Sequence, residues 1–144
     1  MKMIKKTMIF LLAGASVFPA CKKTETTSQT TAQKVLGKWA LVSEHSSETS
    51  QGRTINDIYI GMAGDYVDFR TDGKAYYYFD NAFDTTTYKV ISDNLMKVEW
   101  DTSTIKTLTG TSFILHNKQS FSDVTTETTL TLKKYSVILN LDYN

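Results

Sequence analysis

The stretch from Asp65 to Asp80, DYVDFRTDGKAYYYFD, constrains the fold more than any other part of the sequence. Two runs rich in aromatic and β-branched residues flank Asp72-Gly73. Asp-Gly is favoured in type I′ turns, where both central residues need a positive φ, so the stretch predicts a tight β-hairpin. An isolated hairpin is at best marginally stable, and this one carries more aromatic area than it can bury alone. It must therefore belong to a larger sheet.

The rest of the chain predicts more strands and only one short helix. Thr31 to Leu36 suits a single helical turn capped by Thr30 or Thr31. Ser46 to Asn56 is predicted to be a polar loop, and Ile58 to Ile60 is either a short strand or part of a lid. Tyr135 to Tyr143 is either a last strand or a tail. The predicted strands beside the hairpin span 37–45, 85–92, 95–100, 103–109, 111–117 and 124–135.

Short connections between successive strands favour antiparallel pairing of neighbours. Ile105 and Leu108 are three residues apart, which predicts a bulge or a strand end between them. About eight strands suffice to close a barrel, and closure removes exposed edges. The fold class is therefore all-β, an eight-stranded antiparallel up-and-down β-barrel with a short N-terminal helical turn. A β-sandwich remains the alternative.

The N-terminus carries the pattern of a targeting segment. Three lysines precede the short apolar run Met8 to Val17, which is too short to span a membrane and indicates a signal peptide. The following Phe18-Pro-Ala-Cys21 resembles a bacterial lipobox. The organisation is thus predicted as a lipoprotein signal peptide (1–20), a lipidated flexible tether (21–31) and a β-barrel domain (32–144).

Cys21 is the chain's sole cysteine and the predicted lipid-attachment site. Lys22 after it, rather than aspartate, resembles the sorting signal for the outer membrane; the periplasmic and surface faces both remain open. The membrane, through this anchor, is thus one expected partner. A formal charge of +1 with scattered Lys and Arg argues against a nucleic-acid partner. A protein partner is not specified by the sequence.

Several short motifs resemble one family in order and spacing. Leu36-Gly-Lys-Trp-Ala-Leu41 resembles the G-x-W opening strand of lipocalins, and Tyr66 to Gly73 resembles the second hairpin of small bacterial lipocalin-like lipoproteins. Tyr88 to Val90, Leu95 and Ile105 to Leu115 resemble later strands of that family. The resemblance implies a barrel closed at one end by Trp39 and a cavity for a small hydrophobic ligand. It does not imply a known substrate, and no cofactor is expected.

The alternation of side chains along each strand predicts which residues face the interior. Two alternatives follow, because an eight-stranded barrel either is filled by its own side chains or holds one small ligand. The tyrosines and tryptophans favour a pocket, since their polar groups need partners when buried. The predicted cavity-lining residues are Trp39, Leu41, Val67, Phe69, Tyr77, Phe79, Tyr88, Val90, Met96, Val98, Trp100, Phe113, Leu115, Leu130 and Leu132.

Tyr76 and Tyr78 should face away from this interior, on the surface opposite to Tyr77. There they either bind a glycan or a protein partner, with the barrel serving as scaffold, or make ordinary cross-strand contacts. The two functional hypotheses are therefore a small-ligand carrier and a non-enzymatic interaction module.

No catalytic or metal constellation is present in the sequence. His45 and His116 are too few for a zinc site, and the aspartates around the first hairpin lack the spacing of a calcium loop. No serine is placed in a nucleophile-elbow motif. The protein is therefore not expected to be an enzyme.

Overall fold

The computed structural model describes residues 28–136. The predicted signal peptide, Cys21, the tether up to residue 27 and the C-terminal run after residue 136 lie outside the described residues. Helix α1 (Thr31–Val35) follows the N-cap Thr30, as predicted. The Thr30 hydroxyl accepts a hydrogen bond from the Gln33 backbone N–H at 3.3 Å, and the Gln33 side chain accepts one from the Thr30 N–H at 2.9 Å. This capping box starts the helix. Within residues 28–136, no helix has the length and apolarity needed to cross a membrane.

The strands are β1 (Gly37–Ser50), β2 (Arg53–Ile60), β3 (Tyr66–Phe69), β4 (Lys74–Phe79), β5 (Ala82–Ser92), β6 (Leu95–Val98), β7 (Asp101–Leu108), β8 (Ser112–Phe121) and β9 (Val124–Lys134). They form a closed antiparallel sheet in the order β1-β3-β4-β5-β6-β7-β8-β9, with β9 pairing back onto β1. β2 and β3 pair in succession with the same side of β1, β3 with residues 37–40 and β2 with residues 43–50. They therefore share one position in an eight-stranded barrel. The predicted barrel is confirmed, and the sandwich alternative is wrong.

The hairpin at 65–80 is confirmed as β3 and β4, but its predicted turn type is wrong. Phe69 pairs with Ala75, and the Arg70 N–H donates to the Lys74 carbonyl at 2.9 Å. Gly73 alone within this turn has a positive φ, 77°. The connection is thus a three-residue loop ending in a left-handed glycine, not a two-residue type I′ turn.

The predicted loop at 46–56 is instead a hairpin. This polar stretch forms the end of β1 and the start of β2, joined at Gln51-Gly52, whose φ values of 49° and 75° are both positive. Asp80-Asn81, at 48° and 62°, joins β4 to β5 in the same way. The stretch 46–56 is rich in Ser and Thr, and threonine's β-branched side chain favours strands even where the sequence is polar. The predicted bulge after Ile105 is confirmed, between Ile105 and Thr107.

A five-residue insertion separates β2 from β3 and faces only Leu41 and Val42 of β1. The Gly61 N–H donates to the Val42 carbonyl, and the Leu41 N–H donates to the Asp65 carbonyl, each at 3.0 Å. These two bonds hold the insertion against the wall of the barrel, so that both halves of the interrupted strand keep their pairing with β1.

The barrel is closed at the α1 end by a packed aromatic core. Trp39 is fully buried, and its indole N–H donates to the Val35 carbonyl at 2.8 Å. Its ring lies 5.4 Å from that of Phe113, which in turn lies 5.8 Å from Phe69. The Lys134 ammonium covers the Trp39 ring at 4.4 Å and donates to the Leu36 carbonyl at 2.8 Å. Helix, indole and lysine together seal this end.

Candidate functional site

The barrel contains a cavity of about 290 Å³ that opens to solvent at the end away from α1. Side chains therefore do not fill the interior completely. A volume near 300 Å³ is the lower end of the range for small-molecule pockets, so the space suits a small ligand. The lining residues are Glu44, Val67, Phe69, Ala75, Tyr77, Phe79, Thr86, Val98, Glu99, Asp101, Ser103, Leu115, Asn117, Thr128 and Leu130.

The floor of the cavity is apolar. Val67 and Phe69 reach it from β3, Ala75 from β4 and Leu115 from β8, and all four are buried. They face inward because alternate residues of a strand lie on the same side of the sheet. An apolar molecule that enters the barrel would displace water from this surface, which is the main source of favourable binding energy for such ligands.

Three carboxylates surround the open end, and we call Glu44, Glu99 and Asp101 the mouth acids. Glu99 lies in the two-residue turn after β6, with a φ of 55°, and Asp101 is the first residue of β7. Glu44 reaches the cavity because the pairing of β1 with β9 shifts between Leu41 and Ser43. This bulge reverses the alternation, so both Leu41 and Glu44 face inward although they are three residues apart.

Polar side chains line the wall between the mouth and the floor. Ser103 is only 7% exposed, and none of the side-chain hydrogen bonds among the described residues involves it. Asn117 donates from its amide nitrogen to the Thr102 carbonyl at 3.0 Å. Thr86 and Thr128 complete this belt from β5 and β9. The side chains that line the cavity thus change from apolar at the floor, through polar along the wall, to acidic at the mouth.

Tyr77 and Phe79 form an aromatic wall in this cavity, with ring centroids 5.6 Å apart and nearly parallel planes. The Tyr77 hydroxyl lies 3.5 Å from the Asp84 carboxylate, toward which it donates. Burial raises the pKa of Tyr77 above its ordinary value, and the negative charges of Asp84 and then Glu99 raise it further. Tyr77 is therefore a neutral hydroxyl at physiological pH.

The structure divides the predicted cavity-lining residues into groups. The cavity itself is lined by Val67, Phe69, Tyr77, Phe79, Val98, Leu115 and Leu130. Others are buried in the core, namely Trp39, Leu41, Met96, Phe113 and Leu132. Tyr88 and Val90 are half-buried and pack against that core.

Trp100 is the exception, because it is 82% exposed and the prediction that it faces the interior is wrong. The strand predicted to run to residue 100 ends at Val98, and Trp100 follows Glu99 in the turn. A turn does not continue the alternation of the strand, so the inward direction of Val98 does not predict the direction of the Trp100 side chain two residues later. The Lys97 ammonium lies 6.0 Å from the Trp100 ring centroid, outside the cavity.

A buried carboxylate organises the insertion beside the cavity. Asp65 is 3% exposed and accepts hydrogen bonds from the Tyr59 hydroxyl at 2.7 Å and the Met62 N–H at 2.8 Å. Burial alone raises the pKa of Asp65, but the hydrogen bonds from the Met62 N–H and then the Tyr59 hydroxyl lower it below its ordinary value. The same hydrogen bond to Asp65, followed by burial, raises the pKa of Tyr59. Asp65 is thus an ionised structural acceptor.

Tyr76 and Tyr78 lie on the outer face of β4. The Arg70 guanidinium lies 4.1 Å from the centre of the Tyr76 ring, and the Tyr76 hydroxyl donates to Asp72 at 3.3 Å. Tyr78 stacks on Tyr66 at 6.1 Å and donates to Asn81 at 3.1 Å. Both side chains are half-buried by these neighbours.

The two histidines lie at neighbouring positions on either side of Thr129, since both His45 and His116 pair with it across the sheet. His116 contacts the Thr129 hydroxyl through Nδ1 at 3.1 Å. In the part of the chain that the structure describes, no three His, Cys, Asp or Glu side chains are grouped so that they could hold a metal ion.

A comparison of the sequence with protein-family models found no match, and a comparison with curated proteins found none either.

Proposed function

We propose that the protein binds a small, largely apolar molecule inside its barrel, without catalysis, and does so at the outer membrane, anchored through Cys21. The observation that supports binding is the cavity of about 290 Å³, with its apolar floor and its opening to solvent. A pure scaffold would be more stable with this space filled, because side chains next to a void lose dispersion contacts. An open interior is therefore better explained by a ligand.

The binding proposal is tested by titrating small amphiphiles and apolar compounds, fatty acids and sterol-like molecules included, while tryptophan emission is recorded. Trp39 lies buried at the sealed end of the barrel and Trp100 lies in the turn at its mouth. We expect at least one compound to change the emission in a saturable way. If no compound changes the tryptophan emission in a saturable way, the binding proposal is refuted.

A matched pair of alanines locates the ligand. Ala75 is buried in the cavity floor, whereas Ala32 is exposed on α1, at the sealed end of the barrel. Ala75→Leu fills part of the cavity and should weaken binding about fivefold or more, since overpacking costs about 1–3 kcal/mol. Ala32→Leu adds the same atoms outside the barrel and should leave the affinity unchanged. Equal affinities for both variants, with both folded, would place the ligand elsewhere.

The anchoring proposal is supported by the sequence, where the sole cysteine follows a signal-peptide-like segment. Two or more acyl chains give stable membrane attachment, so removing their acceptor should release the protein. Cys21→Ser is expected to move it from the membrane to the soluble fraction. Lys22→Asp is expected to keep it on membranes but shift it from the outer to the inner one. Membrane association that survives Cys21→Ser would contradict lipidation.

The interaction-module hypothesis would use Tyr76 and Tyr78. Their hydroxyls already donate to Asp72 and Asn81, and their rings already contact Arg70 and Tyr66. Such contacts are what cross-strand packing alone produces. The cavity is therefore the stronger candidate.

A further inference from the structure

The charge at the cavity mouth distinguishes between classes of amphiphile. Glu44, Glu99 and Asp101 line the cavity, while none of its described lining residues is Lys, Arg or His. The ion pairs among the described residues, Arg70–Asp68 and Lys118–Glu127, leave all three mouth acids without a cationic partner there. A ligand with a carboxylate head group would meet only like charge at the entrance.

The aromatic wall adds a second, independent preference. The rings of Tyr77 and Phe79 face the cavity side by side, and an aromatic face attracts a cation within about 6 Å of its centre. Glu99 lies close enough to Tyr77 for its charge to act on the tyrosine hydroxyl. Aromatic faces next to carboxylates are suited to organic ammonium groups, which are weakly hydrated and apolar at their periphery.

The polar side chains between the mouth and the floor indicate how a ligand would be oriented in the cavity. The Ser103 hydroxyl lines the cavity at 7% exposure, outside the side-chain hydrogen bonds of the described residues, so it is available to a polar group of a ligand. Beneath it, Val67, Phe69 and Ala75 offer only apolar surface. A molecule with a charged or polar head and a short apolar tail matches this gradient, with its tail toward the floor.

We infer that the cavity selects a small organic cation with an apolar tail, an alkylammonium-type molecule, over fatty acids and other anionic amphiphiles. The inference rests on the proposed function, since it requires that the cavity binds a ligand. Each exposed ion pair contributes about 0.2–1 kcal/mol, which is about 1.4- to 5-fold in affinity. Three mouth acids therefore predict that a cation binds about 3- to 125-fold more tightly than a neutral molecule of the same shape, and that an anion binds more weakly than either.

The test uses the full-length chain in phosphatidylcholine nanodiscs and isothermal titration calorimetry, with empty nanodiscs as reference. Three probes share one tail: hexyltrimethylammonium, hexanol and hexanoate. The expected order of affinity is cation, then alcohol, then carboxylate, and added NaCl should weaken only the binding of the cation. Equal affinities, or tightest binding of hexanoate, would overturn the charge selectivity and leave ligand binding intact. No binding of any probe would overturn both.

Isosteric variants then assign the selectivity to the mouth. Glu99→Gln with Asp101→Asn should weaken hexyltrimethylammonium binding about 2- to 25-fold while the hexanol affinity stays unchanged. The matched control is Glu127→Gln, which removes one negative charge from the outer side of β9, where Glu127 pairs with Lys118 at 2.6 Å. The inference is wrong if the double variant keeps the full cation preference, or if Glu127→Gln loses as much of it.

Discussion

Gly61 gives the sharpest test of how the interrupted strand is held against β1. A Cβ atom at this position would lie 2.2 Å from the Leu41 carbonyl oxygen and 2.7 Å from the Leu41 carbonyl carbon. Both are backbone atoms of β1, which is paired on its other side with β9, so neither can move without disturbing the wall of the barrel. Gly61→Ala must therefore displace the insertion and strain the hydrogen bond from Gly61 to Val42.

The magnitude follows from two opposing effects. Overpacking of this kind costs about 1–3 kcal/mol, whereas replacing glycine by alanine stabilises by about 0.4–1 kcal/mol through the unfolded chain. The expected net loss in the free energy of unfolding is about 1–2 kcal/mol. For a domain of this size, the melting temperature should fall by about 4–16 °C.

Urea unfolding, followed by tryptophan emission and by circular dichroism, measures this loss directly. Gly110→Ala is the matched control, because an added Cβ there has no neighbour within 4 Å and its φ lies outside the left-handed region. We expect Gly110→Ala to be neutral or to stabilise by up to about 1 kcal/mol. If Gly61→Ala unfolds at the same urea concentration as Gly110→Ala, the close approach to Leu41 does not restrain the insertion.

The remaining predictions concern Asp65, Trp39 and Trp100. Asp65→Asn removes a charged acceptor of two hydrogen bonds and should cost about 1.5–3 kcal/mol at neutral pH, measured as a urea midpoint. Because the folded pKa of Asp65 is lowered, its contribution is present above the ordinary value of about 3.8 and fades as the pH falls through the folded pKa. The midpoints of the wild type and the variant should therefore converge below about pH 4, and a constant gap would contradict this. Trp39→Phe leaves the Val35 carbonyl without its donor and opens a void, so we expect a loss of about 2–4 kcal/mol in the same assay. Trp100→Ser should change stability by less than about 0.5 kcal/mol, since the side chain is 82% exposed; a larger loss would show that the indole packs against the barrel.

The barrel was predictable from the sequence because the signals for it are local and repeated. Alternation in β3, β6 and β9, together with turn residues such as Asp93-Asn94, indicates antiparallel neighbours without any knowledge of the tertiary structure. The helix cap was equally readable, because Thr30 and Gln33 have the spacing of a capping box. These features depend on residues that are close together in the chain.

The errors arise where the backbone departs from regular alternation. Counting by twos from Trp39 and Leu41 places Glu44 outside the barrel, but the bulge after Leu41 turns it inward. Likewise, the turn at Glu99 takes Trp100 out of the phase of β6. A bulge of this kind depends on pairing with a strand distant in the sequence, here β9, so alternation within β1 alone does not reveal it.

The open end of the barrel, by contrast, was predictable from the sequence. A list of interior residues that contains only apolar ones leaves out the polar residues that mark this end. In β7 the interior positions change from polar to apolar, Ser103 then Ile105; in β8 they change from apolar to polar, Leu115 then Asn117. β9 reverses the order again, with Thr128 before Leu130. Because neighbouring strands are antiparallel, these opposite gradients place Ser103, Asn117 and Thr128 side by side at the same end of the barrel. One polar residue in an interior position is compatible with a filled core, whereas three on adjacent strands at one level mark a mouth open to water.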